Sequence, residues 1–191
     1  LEIPETWADL REVAEFFTRD AGEMLAGEEL ERDVYGWADA LGSGSGIARS
    51  FIVVLYSTGL QGWDENFQTD LDNPILVEAA DYFVDLAKNT APREAQTWAF
   101  LEGLDFFNDG RLAMATMWPQ GLERVEDPDG PAAGNVAYQP LPVWEGNLAG
   151  YEQGVPFLGG GGVLFFDTPN SEEAFKFVQW MLEENEVEFA K

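Results

Sequence analysis

The sequence predicts an α/β fold. Segments carrying helical apolar stripes alternate with short apolar runs of strand length. Capping residues and glycines mark where several of the helices start and stop. A hydrophobic fraction of 46% and an aromatic fraction of 14% in 191 residues supply a core. Such a chain forms one or two domains and buries roughly two-thirds of its unfolded surface.

The elements follow in order. "PETWADLREVAEFFTRD" reads as a helix: Thr6 is a plausible N-cap with Asp9 three residues on, and Leu10, Val13, Ala14 and Phe17 form one stripe. Trp7 would anchor its start. A polar stretch runs to Arg32, and "DVYGWAD" then suggests a short strand that Gly36 weakens. "GSGSGIARSFIVVLYSTG" is a loop opening a strongly apolar helix, ended by Gly59, and "LQGWDENFQTDLD" is a loop carrying Trp63. Asn73 as N-cap and Pro74 at the first helical position begin the helix "PILVEAADYFVDLAKNT". "REAQTWAFLEGLDFFNDG" is expected to be a further helix ending at Gly110, with Trp98, Phe106 and Phe107 in its core stripe. "RLAMATMW" reads as a short buried strand, followed by a turn or brief helix through Val125. After the surface turn "EDPDGPAAGN", the segment "VAYQPLPVWEG" suggests a strand ending in prolines. "GGVLFF" is a last strand, and the final helix places Phe175, Val178, Met181 and Leu182 on one face. Trp180 reads as core.

Composition excludes several kinds of chemistry. Thirty-six acids against ten Lys and Arg give a net charge of −26, dispersed from Glu2 to Glu188, and only three residues are lysine. Carboxylates spread in this way suit concentrated salt, where charge repulsion is screened within roughly 3 Å; the pattern reads as a halophile's surface. Such a field repels phosphates, which argues against nucleic acid as a partner. The absence of Cys and His removes disulfides, thiolate and imidazole metal sites, and the usual serine triads. No cofactor is expected. No run of about 18 apolar residues exists to cross a membrane. The chain begins at Leu1 without Met or a secretory pattern, as a piece of a longer precursor would.

Four glycines, Gly159 to Gly162, run directly into the last apolar segment. Each is costly to order. A phosphate loop requires the glycines after a strand and a following Gly-Lys-Ser/Thr, neither of which is present. Two readings remain: a flexible linker, or a stretch whose bare backbone approaches a ligand.

The motifs in their order resemble a known family. "P-x-TWADL", "NPILVEAADYFVDLAKN", "FFNDGRLAMATMW", "YQPLPVWEG" and "GGGGVLFFDTPNSEEAFKFVQWML" are similar to successive segments of family 1 extracellular solute-binding proteins. These are the maltose-binding-protein-like receptors of ABC importers. The resemblance implies the carboxy-terminal lobe of a type II periplasmic-binding-protein fold, three-layered, with a mixed sheet flanked by helices. Residues 1–160 would form the lobe, and 161–191 would be a strand and helix that cross the hinge and pack on an amino-terminal lobe absent here. It further implies a monomeric receptor that carries out no reaction and lies outside the cell, anchored through an upstream segment. Its partners would be a carbohydrate ligand and the permease subunits.

Sugars present apolar C–H faces and a rim of hydroxyls, so aromatic platforms beside short polar groups are the candidate contacts. On this ground, and by position in the family, the candidates are Trp37, Ser45, Arg49, Trp63 and Trp118, with Gly160 and Gly161 offering backbone. Trp118 reads equally as a core residue, since it precedes Pro119 where many relatives have Gly-Pro-Trp. Arg49 reads equally as a surface salt bridge. Trp144 fits either ligand or packing. A glycerol phosphate or polyol derivative held by Arg49 is the second ligand reading. Among other classes, a glycoside hydrolase needs a carboxylate pair, and only Asp39 and Asp105 lie in apolar segments, where both read as solvated or capping. An adhesion module would show a flat apolar patch.

Overall fold

A computed structural model describes residues 3–42, 44–99, 101–156 and 168–183. It divides into two compact units, Leu1–Phe157 and Leu158–Lys191.

Helix α1, Trp7–Phe17, begins on a complete capping box: Thr6 accepts from the Asp9 N–H, and the Asp9 carboxylate accepts from the Thr6 N–H. Trp7, Leu10, Val13 and Ala14 are buried along one stripe. The polar stretch that follows contains a hairpin the sequence did not announce, β1 (Met24–Leu25) against β2 (Glu28–Glu29). Its two-residue turn sets both Ala26 and Gly27 at positive φ, 52° and 92°. Hairpin turns of this kind favour Asn-Gly or Gly-Gly, and alanine gives no such signal.

Strand β3, Tyr35–Ala38, pairs in parallel with β4, Leu112–Ala115, bringing Tyr35 opposite Leu112 and Trp37 opposite Met114. Gly36 serves this strand instead of weakening it. A Cβ there would lie 1.8 Å from the Ala14 carbonyl oxygen, so only glycine lets α1 approach this closely. The indole of Trp37, on the opposite face of the strand, packs edge-on against Phe83 of α3, Pro74–Thr90. Helices therefore cover both faces of β3.

Helix α2, Ser45–Ser57, ends at Gly59 in the left-handed conformation and packs on α3. Helix α3 begins as its sequence signals, with the Asn73 side chain accepting from the Ile75 N–H. The Trp7 indole N–H donates to Ser57 Oγ at 2.7 Å, tying α1 to the end of α2.

Two expectations fail in this unit. The helix expected over 93–110 divides into a 3₁₀ turn, Arg93–Thr97, and α4, Leu101–Asn108. Trp98 turns extended between them, and its carbonyl accepts from the Gly42 N–H at 3.0 Å. The segment "VAYQPLPVWEG" forms no ladder, only a single parallel bridge from Val143 to Thr6. Its prolines have no N–H to contribute. After β4, a 3₁₀ turn at Pro119–Gly121 leads into α5, Leu122–Val125.

The second unit presents α6, Ser171–Glu183. Phe175, Phe177 and Trp180 on this helix are 55%, 57% and 43% exposed, so the core position expected for Trp180 is not found. Gly160, Gly161 and the strand expected at "GGVLFF" lie outside the described residues. No described helix is long and apolar enough to cross a membrane.

Candidate functional site

Because β3 and β4 are parallel and in register, Ala38 beside Ala115, both carboxyl ends open on the same edge. In open α/β sheets this edge is where ligands are received. Asp39 and Ala40 follow β3 there, and Thr116, Met117 and Trp118 follow β4. The chain after Ala40 leads into the start of α2 behind Gly44, whose φ of 86° glycine adopts readily. A recess of about 10 Å³, room for one water at most, is lined by Asp39, Ala40, Leu104, Thr116 and Met117 among others.

Three side chains from three segments meet at this edge. Arg49, one turn into α2, reaches back to Asp39 with Nη2 3.2 Å from Oδ1. The same carboxylate oxygen accepts from the Ala40 N–H at 2.6 Å. The Arg49 guanidinium also lies over the Trp118 ring, 4.4 Å from its centroid, a stacking geometry suited to a planar cation. The side chains of Asp39 and Arg49 are 7% and 15% exposed. Ser50 secures the arrangement by donating to the Ala40 carbonyl at 2.9 Å. Burial pushes the Asp39 carboxyl above its ordinary range, opposed by the Ala40 N–H and by Arg49.

These positions correct parts of the sequence reading. Asp39 is buried and paired instead of solvated; Asp105 is exposed and paired with Arg124. Arg49 forms an ion pair, but a largely buried one. Trp37, at 1% exposure, belongs to the core, its indole N–H donating to Thr116 Oγ1 at 3.4 Å, and it has no ring face for a ligand. Ser45 opens α2, and Trp63 is 45% exposed on the loop between α2 and α3. Trp118 is half-buried at the edge itself. Trp98 is buried against Phe106 as expected, although it lies extended between the 3₁₀ turn and α4 and not on a helical stripe. The partnership of Asp39 with Arg49 escaped the sequence reading; its one signal was a carboxylate ending the apolar run "VYGWA".

A larger groove of about 490 Å³ shares no lining residue with this edge. It lies along α1 and α3, lined by Arg11, Glu78, Asp81, Tyr82, Asp85 and Trp144 among others. Trp144 packs edge-on against Tyr82 at 5.5 Å, and Arg11 pairs with Asp85 at 3.4 Å. Among the described residues no cluster of carboxylates is arranged to hold a metal ion.

The ends of parallel strands, where this polar-aromatic edge lies, are where open α/β folds receive ligands. The family model for bacterial extracellular solute-binding proteins matches residues 1–187, and the chain belongs to that family. Among curated protein sequences none matches significantly. Among solved structures it is similar to an ABC transporter solute-binding protein from Agrobacterium radiobacter K84 in complex with ribitol. The TM-score is 0.73 at 22% identity, over 96% of this chain and 43% of the other. Maltose-bound MalE3 of T. maritima gives 0.69 at 22% identity, over 94% and 43%. A solute-binding protein from Agrobacterium vitis S4 with bound D-mannitol gives 0.71 at 22% identity, over 99% and 43%. The likeness supports the type II binding-protein fold, and this chain spans about 43% of the length of those proteins.

Proposed function

We propose that the chain is the carboxy-terminal lobe of an ABC-importer receptor that binds a sugar or polyol between two lobes and delivers it to permease subunits. The observation that carries this reading is the edge beyond β3 and β4, where half-buried Trp118 stands with the paired Asp39 and Arg49. An indole beside a fixed polar pair matches the C–H faces and hydroxyls of a polyhydroxyl ligand. The ligands named for the similar structures, ribitol, maltose and D-mannitol, share that chemistry. In this reading residues 161–191 cross the hinge and the receptor is a monomer anchored outside the cell. It works by closure, without a reaction. Ser45 and Trp63 are candidates for the rim, and Gly160 and Gly161 for backbone contact. The dispersed acids adapt its surface to concentrated salt.

Calorimetric titration with ribitol, D-mannitol and maltose in high salt tests the proposal. The expected result is saturable binding of at least one, at millimolar strength for a half-cleft, with no turnover, and weakened about tenfold or more by Trp118→Ala, which removes a ring contact. Turnover, or binding indifferent to that substitution, contradicts it.

A further inference from the structure

The charge of Arg49 has a consequence for selectivity. Guanidinium is the side chain best shaped to grip a carboxylate or phosphate, through two parallel N–H donors. An arginine at the mouth of a binding edge would therefore ordinarily mark an anion site. Here the group is already engaged: Asp39 lies 3.2 Å from Nη2, and the Trp118 ring covers the guanidinium at 4.4 Å. Asp39 is itself anchored by the Ala40 N–H at 2.6 Å, and Ser50 holds α2 to the Ala40 carbonyl at 2.9 Å. Arg49 cannot turn toward an incoming anion without leaving a carboxylate buried and unpaired, which is strongly unfavourable. The net charge of −26 opposes an anion further.

We propose that Asp39 is a specificity-determining residue: by holding Arg49 in a buried ion pair over Trp118, it neutralises the guanidinium at the edge, so that uncharged polyhydroxyl ligands are accepted and phosphorylated ones refused. This rests on the ligand edge proposed above. It separates the two ligand readings the sequence left open, because it assigns Arg49 to the protein's own carboxylate and not to a phosphate. Arg49 then acts as a positioning group, fixing the plane of the Trp118 indole against which a polyol would lie.

The test uses inorganic phosphate as the probe, titrated into the wild-type chain, Asp39→Asn, Asp39→Asn/Arg49→Gln and Arg49→Gln, and followed by calorimetry. Wild type is expected to show no saturable phosphate binding at millimolar concentrations, Asp39→Asn to gain at least about tenfold, and the double variant to lose that gain. A gain that survives in the double variant, or a folded Asp39→Asn chain with no gain, overturns the proposal. Should Asp39→Asn fail to fold, Asp39→Ser takes its place with the same expectations, and saturable millimolar phosphate binding by wild type that Arg49→Gln abolishes would overturn the proposal. The phosphate titrations need no sugar. Polyol binding without the phosphate switch defeats this inference alone, whereas the switch without polyol binding defeats only the sugar reading.

Discussion

Asp39 is buried beside Arg49, and its titration reports that environment. Burial raises its carboxyl above the ordinary 3.8, the Ala40 N–H and Arg49 pulling the other way. Between 3.8 and the raised value the folded chain holds a proton that the unfolded chain has released. Its contribution to stability is therefore complete below the unfolded pKa and is lost as pH rises through the folded one. Asp39→Asn abolishes this dependence. Denaturant unfolding of both chains from acid to neutral pH should show the variant's stability, relative to wild type, improving as pH rises above 3.8. A difference constant across that range contradicts the assignment. Residues that act on near neighbours were readable beforehand: Thr6 with Asp9, and Asn73 with Ile75, lie within three positions of their partners. The pairing of Asp39 with Arg49 was not readable, because it joins the end of a strand to a separate helix, and sequence spacing carries no signal for that.

Among elements, β3 and α1 depend on Gly36. The Ala14 carbonyl occupies the space of its missing side chain at 1.8 Å, and the contact is with backbone, which yields little. Gly36→Ala should destabilise the chain by at least about 2 kcal/mol through overpacking, read as a lower urea midpoint; an unchanged midpoint would contradict the close approach. Strand and helix positions with periodic burial and local caps were legible: α1, α2, α3, β3 and β4 stand where their patterns put them. What failed was set by distant contacts. The run from Arg93 to Gly110 has helical periodicity throughout, yet the carbonyl of Trp98 leaves it to accept from Gly42. The segment around Leu141 has strand-like residues, but its prolines limit pairing to one bridge with Thr6.

For the whole molecule, the α/β alternation and the order of five motifs were sufficient to reach the family, which the match over residues 1–187 then established. The proposed binding edge was only half legible. Arg49 and Trp118 were among the candidates and do meet, whereas Trp37, chosen by the same aromatic argument, fills the core. An indole in an apolar strand carries no mark of which side it faces until the packing partner, here Phe83, is known. We propose above that ligand is received at the edge beyond β3 and β4. The most direct measurement of this is the set of seven indole N–H resonances in nitrogen-15 spectra during titration with ribitol, D-mannitol and maltose. Trp118 is expected to shift saturably with at least one of them while buried Trp7 and Trp98 stay in place. Saturable shifts confined to Trp144, in the groove along α1 and α3, would contradict it.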